Sequence, residues 1–273
     1  MKLFTLSILL ALSSSLLADS FKVNFAPLPT TRVTKDIEDF LPMSRYLESK
    51  IPIKINYVYE KDYQGILDGF KDGSIDMAYF GPLPYLSLKK EYDSIEPIVT
   101  FKQDDGSVKY RCVLAKFRDD EFKKEAPIKV ALTQSLSTCG YYMSSILLRE
   151  NFNIDLSKQN YKYTMSHTNA LTSVLKGEFL VAGAKESIAK KFESLGMEII
   201  AKSELLPGFS LVVNTKTLDK EQIKKIKETL LELEDREAKD SMGVLSNGVA
   251  EASTRDYDGL SIDIEMPQKD VEK

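Results

Sequence analysis

The sequence predicts an α/β protein made of two lobes, each with a mostly parallel sheet flanked by helices. Two observations lead to this prediction. Strands alternate with amphipathic helices in two separate stretches of the chain, in the order strand, helix, strand, glycine, apolar strand, which is typical of parallel sheets covered by helices. The length of 273 residues fits two lobes of ordinary size.

The first stretch is predicted from changes in hydrophobic period between turn residues. Its elements are strand 21–26, helix 34–50, strand 53–59, helix 63–70, strand 75–80 and a helix from 84 to 90. Strand 97–102 and strand 110–117 then flank a polar turn at 103–106. The first three strands and their connecting helices predict a parallel sheet.

The second stretch repeats the pattern. Its elements are strand 128–132, helix 138–151, strand 161–165, helix 169–176 and strand 179–184, followed by strand 210–214 and helix 219–235. We expect the chain to cross between lobes near strands 110–117 and 210–214. Residues 19–108 with 210–273 then form lobe 1, and residues 109–209 form lobe 2. Ligands of open α/β sheets bind at the carboxyl ends of strands, so the site is expected in the cleft between the lobes.

Residues 1–18 have the layout of a secretory signal peptide. A positive start at Met1-Lys2 is followed by the apolar run Leu3 to Leu12 and by small residues up to Ala18. A membrane anchor is the alternative, but ten to fifteen apolar residues are few for a span. We therefore expect cleavage after Ala18 and a soluble chain in the periplasm.

Composition excludes several classes of protein. The net charge of −4 argues against a nucleic-acid binder, which usually carries a basic surplus. Two cysteines and one histidine cannot form a four-ligand structural zinc site without carboxylates, and we expect no metal and no cofactor. An oxidising compartment allows a disulfide, but the sequence does not give the distance between Cys112 and Cys139. We expect both to be free.

The strongest chemical feature is the run Ser137-Thr138-Cys139-Gly140, which follows a predicted strand and opens a helix. A helix N-terminus has unpaired N–H groups and a partial positive charge, and Ser and Thr add hydroxyl donors. Gly140 keeps the backbone accessible, so the run predicts an anion site. An ordinary N-cap at Ser137 is the alternative interpretation.

Two further groups follow predicted strands. His167, the single histidine, would donate a hydrogen bond to an oxyanion; capping the helix that begins near Asn169 is the alternative. Tyr79 and Tyr85 flank Gly81-Pro82 and would wall a ligand pocket; core packing is the alternative.

Catalysis is not predicted. Cys139 at a helix start would have a depressed pKa, but no Asp-His pair stands near it in sequence to support a nucleophile. The sequence also has no glycine-rich phosphate loop of the nucleotide-binding types and no HExxH motif. We therefore expect a binding protein and not an enzyme.

Four segments together resemble one family. Gly73 to Tyr85 (GSIDMAYFGPLPY) resembles the G-x-[IVL]-D-[VM]-A-x-x-G-P-x-x-Y stretch of the periplasmic phosphate/phosphite/phosphonate-binding proteins of ABC transporters. The run 137–140 resembles that family's S-T-S-G turn. Ser166-His167 with the following Leu171 and Gly177, and the late DYDGL at 256–260, resemble two more of its motifs. The segments occur in the family's order across nearly the whole mature chain.

The resemblance implies a type II periplasmic binding fold whose lobes close on a tetrahedral oxyanion. It implies that Ser137 and Thr138 hold oxyanion oxygens through hydroxyl and N–H groups, and that Cys139 contributes its N–H. His167 would donate from the same lobe, and Tyr85 would close from the other.

The sequence departs from the family pattern at two places. Cys139 stands where the family usually has Ser, and the Asp common after the second Gly-x-[VL] is absent from residues 177–183. Glu186 is the suggested partner for the amine of an aminophosphonate.

The resemblance implies a monomeric binding protein that delivers an oxyanion or organophosphonate to an ABC permease. A sensory subunit for a membrane histidine kinase is the alternative, in which a thiol at the site would suit arsenite. Relatives of the family also take up sulfonates and pyrimidine-type compounds.

Overall fold

The computed structural model describes residues 20–29, 33–122, 127–233 and 240–260. The predicted signal peptide, residues 1–18, lies outside these residues, as do residues 261–273 of the predicted lobe 1.

Strands and helices alternate along most of the chain. The strands are β1 (Phe21–Ala26), β2 (Ile53–Tyr57), β3 (Met77–Phe80), β4 (Ile95–Phe101), β5 (Lys109–Tyr110), β6 (Cys112–Phe117), β7 (Lys129–Leu132), β8 (Asn160–Tyr163), β9 (Val181–Lys185), β10 (Met197–Lys202), β11 (Leu206–Pro207), β12 (Ser210–Asn214) and β13 (Val249–Glu251). The helices are α1 (Val33–Lys50), α2 (Tyr63–Asp72), α3 (Pro82–Glu91), α4 (Met143–Phe152), α5 (His167–Leu175), α6 (Glu186–Lys190) and α7 (Lys220–Leu231).

Lobe 1 is built on a six-stranded sheet with the order β13-β4-β12-β3-β1-β2. Strand β1 runs parallel to β2 and β3, as the alternation of strands and helices predicts. Strand β12 enters between β3 and β4, antiparallel to both, so the complete sheet is mixed. Apolar clusters cover both faces. One includes residues of α1 and α7, and the other includes residues of α2 and α3.

Lobe 2 is built on a five-stranded sheet with the order β10-β6-β9-β7-β8. Strand β7 is parallel to β8 and β9, whereas β6 is antiparallel to β9 and β10. Helix α4 packs into the cluster on one face, and α5 and α6 pack into the cluster on the other. The carboxyl ends of β7, β8 and β9 therefore lie at one edge of this sheet.

The chain passes from one sheet to the other at two segments that lie side by side. The short strands β5 and β11 pair there as an antiparallel ribbon. The polar turn at 103–106 leads from β4 in one sheet to β6 in the other, so it is a crossover and not the turn of a hairpin. The exact lobe boundaries given above stay a prediction.

The prediction that both cysteines are free is wrong. Cys112 at the start of β6 and Cys139 form a disulfide, with their Cα atoms 5.1 Å apart. Both residues lie in a buried apolar cluster beside the β5–β11 ribbon. The bridge depends on tertiary contact between two segments separated by 27 positions, a distance that the sequence does not contain.

Among the helices of the described residues, none has the length and apolar composition that a membrane span requires.

Candidate functional site

The candidate anion site begins where β7 ends. The chain turns at Ser137, and Thr138–Tyr142 forms a π-helical turn that leads into α4. Ser137 makes no side-chain capping hydrogen bond, so the ordinary N-cap interpretation does not describe this turn. The predicted uniform helix from 138 is also interrupted, because Gly140 has non-helical backbone angles (φ −76°, ψ −125°). The backbone of the turn is wider than that of an α-helix.

Close packing explains why position 140 is glycine. A Cβ atom there would lie 2.4 Å from the carbonyl oxygen of Gln134 and 2.9 Å from Oγ1 of Thr133. Behind the turn, a Cβ on Gly183 of β9 would lie 2.8 Å from the carbonyl oxygen of Cys139. The two glycines thus allow the turn to pack closely against the sheet of lobe 2, and the Cys112–Cys139 bridge holds it there.

Thr138 also connects the lobes. Its Oγ1 accepts a hydrogen bond of 3.1 Å from the backbone N–H of Leu83 in the first turn of α3. Gly81, the N-cap residue of α3, has no side chain for this role. The N-termini of α3 and of the turn before α4 therefore meet across the cleft, and both ends carry a partial positive charge. The O–H of Thr138 still has its proton to donate.

Tyr110 places a second hydroxyl at the turn. The side chain is buried, and its hydroxyl lies beside Thr138. It has no hydrogen-bond partner of ordinary geometry among the described residues, and neither does the buried Oγ1 of Thr133. Burial raises the pKa of Tyr110 above its ordinary value, so its hydroxyl is neutral and able to donate. Buried polar groups are normally paired, and an oxyanion bound at the turn would give the Tyr110 hydroxyl an acceptor.

His167 is the first residue of α5 and not its cap. Ser166 is the cap, because its Oγ accepts a hydrogen bond from the N–H of Asn169. The Nδ1 atom of His167 accepts a hydrogen bond of 3.2 Å from the backbone N–H of Lys185. Burial, together with the positive charge of Lys185, lowers the pKa of His167 to about 4. The imidazole is therefore neutral at pH 7 with its proton on Nε2, which makes Nε2 a hydrogen-bond donor.

The depressed pKa of His167 predicts a specific pH dependence. Because the unfolded chain gains this proton near pH 6.5 and the folded protein only near pH 4, protonation favours unfolding as the pH falls through that window. We expect the free energy of unfolding to decrease from pH 6.5 towards pH 4, by about 1.4 kcal/mol per unit of pKa depression. Above pH 6.5 the residue contributes no slope.

The single histidine makes this prediction easy to measure. One imidazole signal, followed by NMR, should titrate near pH 4. Urea unfolding at pH 7 and pH 5 gives the change in the free energy of unfolding for the wild type and for His167→Gln. The difference between the two proteins is the contribution of the histidine, because the carboxylates contribute to both. A folded-state titration at pH 6 to 7 would contradict the assignment.

Lys185 is a candidate site residue that the sequence analysis missed. It ends β9, and its Nζ atom lies 5.3 Å from the ring centroid of Tyr110 and 5.9 Å from that of Phe209. It donates a hydrogen bond to Oε1 of Gln103, in the crossover that follows β4 of lobe 1. Burial lowers the pKa of Lys185, and Asp104 acts in the opposite direction. The available signal was its position directly after an apolar parallel strand.

Tyr79 lies on the same aromatic cluster. Its ring stacks on Phe209 with centroids 4.9 Å apart and an interplanar angle of 14°, and Phe209 packs against Tyr110. Burial raises the pKa of Tyr79, so this hydroxyl is neutral. The ring stack places Tyr79 next to the residues that surround Lys185.

The side chains of Tyr85 and Glu186 contact other residues. The ring of Tyr85 is buried in lobe 1 against Tyr257, with centroids 4.2 Å apart, and burial raises its pKa to about 12. Glu186 forms ion pairs with Lys202 at 2.8 Å and Lys190 at 3.3 Å. From lobe 1, the contact with the turn comes from Leu83 N–H, and the closing role of Tyr85 stays a prediction.

A chain of contacts links the candidate residues. Thr138 contacts Leu83 N–H, the Tyr110 hydroxyl lies beside Thr138, and the Lys185 ammonium lies over the Tyr110 ring. Helix N-termini, an ammonium group and neutral donors suit an anion, and the assignment of these residues to a binding site stays a prediction. The described part of the chain contains no group of three or more His, Cys, Asp or Glu residues that would hold a metal ion.

Comparison with known proteins identifies relatives of this fold. Residues 25–257 match the model of a family described as the periplasmic substrate-binding protein of a phosphonate ABC transporter. The chain is 24% identical over 198 residues to the phosphate-import protein PhnD of Mycolicibacterium smegmatis. It is 24% identical over 203 residues to the phosphonates-binding periplasmic protein of Escherichia coli. These matches cover 68% and 70% of this chain but only 60% of each relative.

Among solved structures, the chain is similar to PhnD1 from Prochlorococcus marinus in complex with methylphosphonate. The TM-score is 0.72 at 13% identity, and the match covers 87% of this chain and 94% of the other. At this identity the similarity establishes the two-lobed periplasmic binding fold.

Proposed function

We propose that this chain, which belongs to the family of periplasmic substrate-binding proteins of phosphonate ABC transporters, captures a phosphorus oxyanion in its cleft. The ligand is a phosphonate, phosphite or phosphate, and the protein delivers it to an ABC permease. Ser137, Thr138 and the backbone N–H groups of the turn hold the oxyanion. His167 Nε2–H and the Tyr110 hydroxyl add donors from the same side.

One observation supports this proposal most strongly. The positive ends of two helices meet at the hydrogen bond between Leu83 N–H and Thr138 Oγ1, with the Lys185 ammonium packed on the adjacent Tyr110 ring. Like partial charges repel, and an anion bound at this point offsets that repulsion. The bond also joins the lobes, so ligand binding and lobe closure involve the same residue.

The competing functions have less support. The arsenite-sensing alternative required a thiol at the site, and Cys139 is oxidised in the bridge to Cys112. The comparisons give no support to a histidine-kinase partner. An enzymatic role would need a nucleophile next to a general base. His167 does not supply that base, because its Nδ1 atom already accepts the Lys185 N–H.

The proposal includes export. The family is periplasmic by its description. The predicted signal peptide would direct the chain to the periplasm and be cleaved after Ala18, and the mature protein would be a monomer. The mass of the intact exported chain identifies the cleavage point.

Thr138→Val tests the proposed site. The variant keeps the shape of the side chain but removes the hydroxyl that accepts from Leu83 N–H and donates to the ligand. We expect the affinity for the best-binding anion to fall by about 1–3 kcal/mol, or roughly 5- to 150-fold, because a buried partner is left unpaired. Titration calorimetry with methylphosphonate, phosphite and phosphate measures the change.

The matched control is Thr215→Val, because Thr215 is exposed and lies in the turn after β12. Its affinity should equal that of the wild type. If Thr138→Val binds as tightly as the wild type, the anion turn is assigned wrongly. If the wild type binds none of the three anions, the proposed ligand class is wrong.

A further inference from the structure

Lys185 has N–H donors that the described residues do not use. Its ammonium group has three N–H donors, and one of them is donated to Oε1 of Gln103. The residue is half-buried, and the faces of the Tyr110 and Phe209 rings also lie near the ammonium. Ring faces stabilise a cation but do not replace the hydrogen bonds that water would make.

Lys185 forms no ion pair with a carboxylate in the part of the chain that the structure describes. Among the residues that the structure describes, no carboxylate oxygen lies within 4 Å of Lys185 Nζ. The neighbouring Glu186 is occupied by Lys202 and Lys190. Asp104 and Asp105 of the crossover act on Lys185 only from a greater distance. Buried or half-buried cations are normally paired with an anion.

Among the described side chains that contact Lys185 or the turn, none is anionic. His167 has its Nδ1 atom occupied by the Lys185 N–H, which leaves only the donor on Nε2. The hydroxyls of Tyr79 and Tyr110 are neutral because burial raises their pKa values, so they would accept a hydrogen bond from an ammonium group without offsetting its charge. A ligand with an ammonium group would therefore meet a like charge at Lys185, whereas a ligand with a second acidic group would meet its partner.

We propose that Lys185 makes this cleft selective for phosphorus oxyanions that carry a second acidic group, such as phosphonocarboxylates, and against aminophosphonates. The phosphonate occupies the turn at Thr138, and the second acidic group pairs with the Lys185 ammonium. This inference rests on the proposed function, because it assumes that a phosphonate binds at the turn. It adds the class of phosphonate and the residue that selects it.

The experiment is a titration of four probes against three proteins. The probes are methylphosphonate, phosphonoacetate, 3-phosphonopropionate and 2-aminoethylphosphonate, measured by calorimetry. The proteins are the wild type, Lys185→Gln and the control Lys176→Gln. Lys176 is exposed and follows the last residue of α5, the helix that begins at His167, so its variant removes the same charge at the far end of that helix. Thermal unfolding of each protein confirms that the variants are folded.

For the wild type, we expect the better phosphonocarboxylate to bind at least about tenfold more tightly than methylphosphonate. We expect 2-aminoethylphosphonate to bind at least about tenfold more weakly than methylphosphonate, because its ammonium meets Lys185. In Lys185→Gln the affinities should converge to within about threefold. Lys176→Gln should keep the wild-type order.

Three results overturn the inference, and they differ in what else they overturn. If 2-aminoethylphosphonate binds the wild type as tightly as the phosphonocarboxylates do, Lys185 does not select by charge. If Lys185→Gln keeps the wild-type ratios, another residue selects the ligand. In both cases methylphosphonate binding leaves the proposed function standing. If no probe binds the wild type, the proposed function fails together with this inference.

Discussion

Replacing Cys112 and Cys139 together by Ala should lower the free energy of unfolding by about 3–4 kcal/mol. The bridge closes a loop with a sequence separation of 27, and the chain-entropy relation for a loop of this length gives that magnitude. The same change should weaken methylphosphonate binding about tenfold. Without the bridge the turn is no longer fixed, and the free energy needed to order it on binding reduces the affinity. Urea unfolding and calorimetry measure the two effects.

The reductant dependence of the wild type supplies the control. Full reduction should move the wild-type unfolding curve to that of the double variant, while the variant itself should not respond to reductant. A thiol assay must first establish that both sulfur atoms are reduced. An unchanged wild-type curve after complete reduction would show that the bridge does not stabilise the fold.

Gly140→Ala should reduce affinity for the ligand more than about a hundredfold. The new methyl group would lie 2.4 Å from the Gln134 carbonyl oxygen, a backbone atom, and 2.9 Å from Thr133 Oγ1. The turn must move to remove this steric overlap. The groups that bind a ligand must stay within about 0.5 Å of their productive positions, so the movement should disrupt binding. We expect the overpacking itself to lower the free energy of unfolding by about 1–3 kcal/mol.

Gly177→Ala is the matched control for this substitution. Gly177 has φ +71° and has no neighbour within 4 Å of an added Cβ atom, so the substitution strains the backbone without contacting the site. It should lower stability by about 1 kcal/mol and leave affinity unchanged. Wild-type affinity in Gly140→Ala would contradict the packing argument.

Most of the fold was predictable because hydrophobic period and turn residues determine it locally. Strands β1, β2 and β12 and helix α2, with its end at Asp72-Gly73, follow from the order of apolar and turn residues. Strands β10 and β13 were missed. Strand β13 has only three residues at the edge of its sheet, and its pairing with β4 depends on a partner more than a hundred residues away.

The site was predictable in part. The turn at 137–140 and His167 follow from the carboxyl ends of parallel strands, and the structure places both of them at that edge of lobe 2. The disulfide was not predictable, because it depends on how closely the turn approaches β6. Lys185 was also missed, because a lysine after a strand is usually solvated, and only the packing of Tyr110 and Phe209 reveals its position.

The position of β12 determines the order in which the lobes can be completed as the exported chain emerges, N-terminus first. Every strand of the lobe 2 sheet and both half-cystines come from residues 112–202, so this lobe can fold once that stretch has emerged. At that moment β3 and β4 still lack the strand that lies between them. We therefore expect lobe 1 to be completed after lobe 2. Until residue 214 emerges, the edges of β3 and β4 that face β12 are unpaired and open to wrong partners.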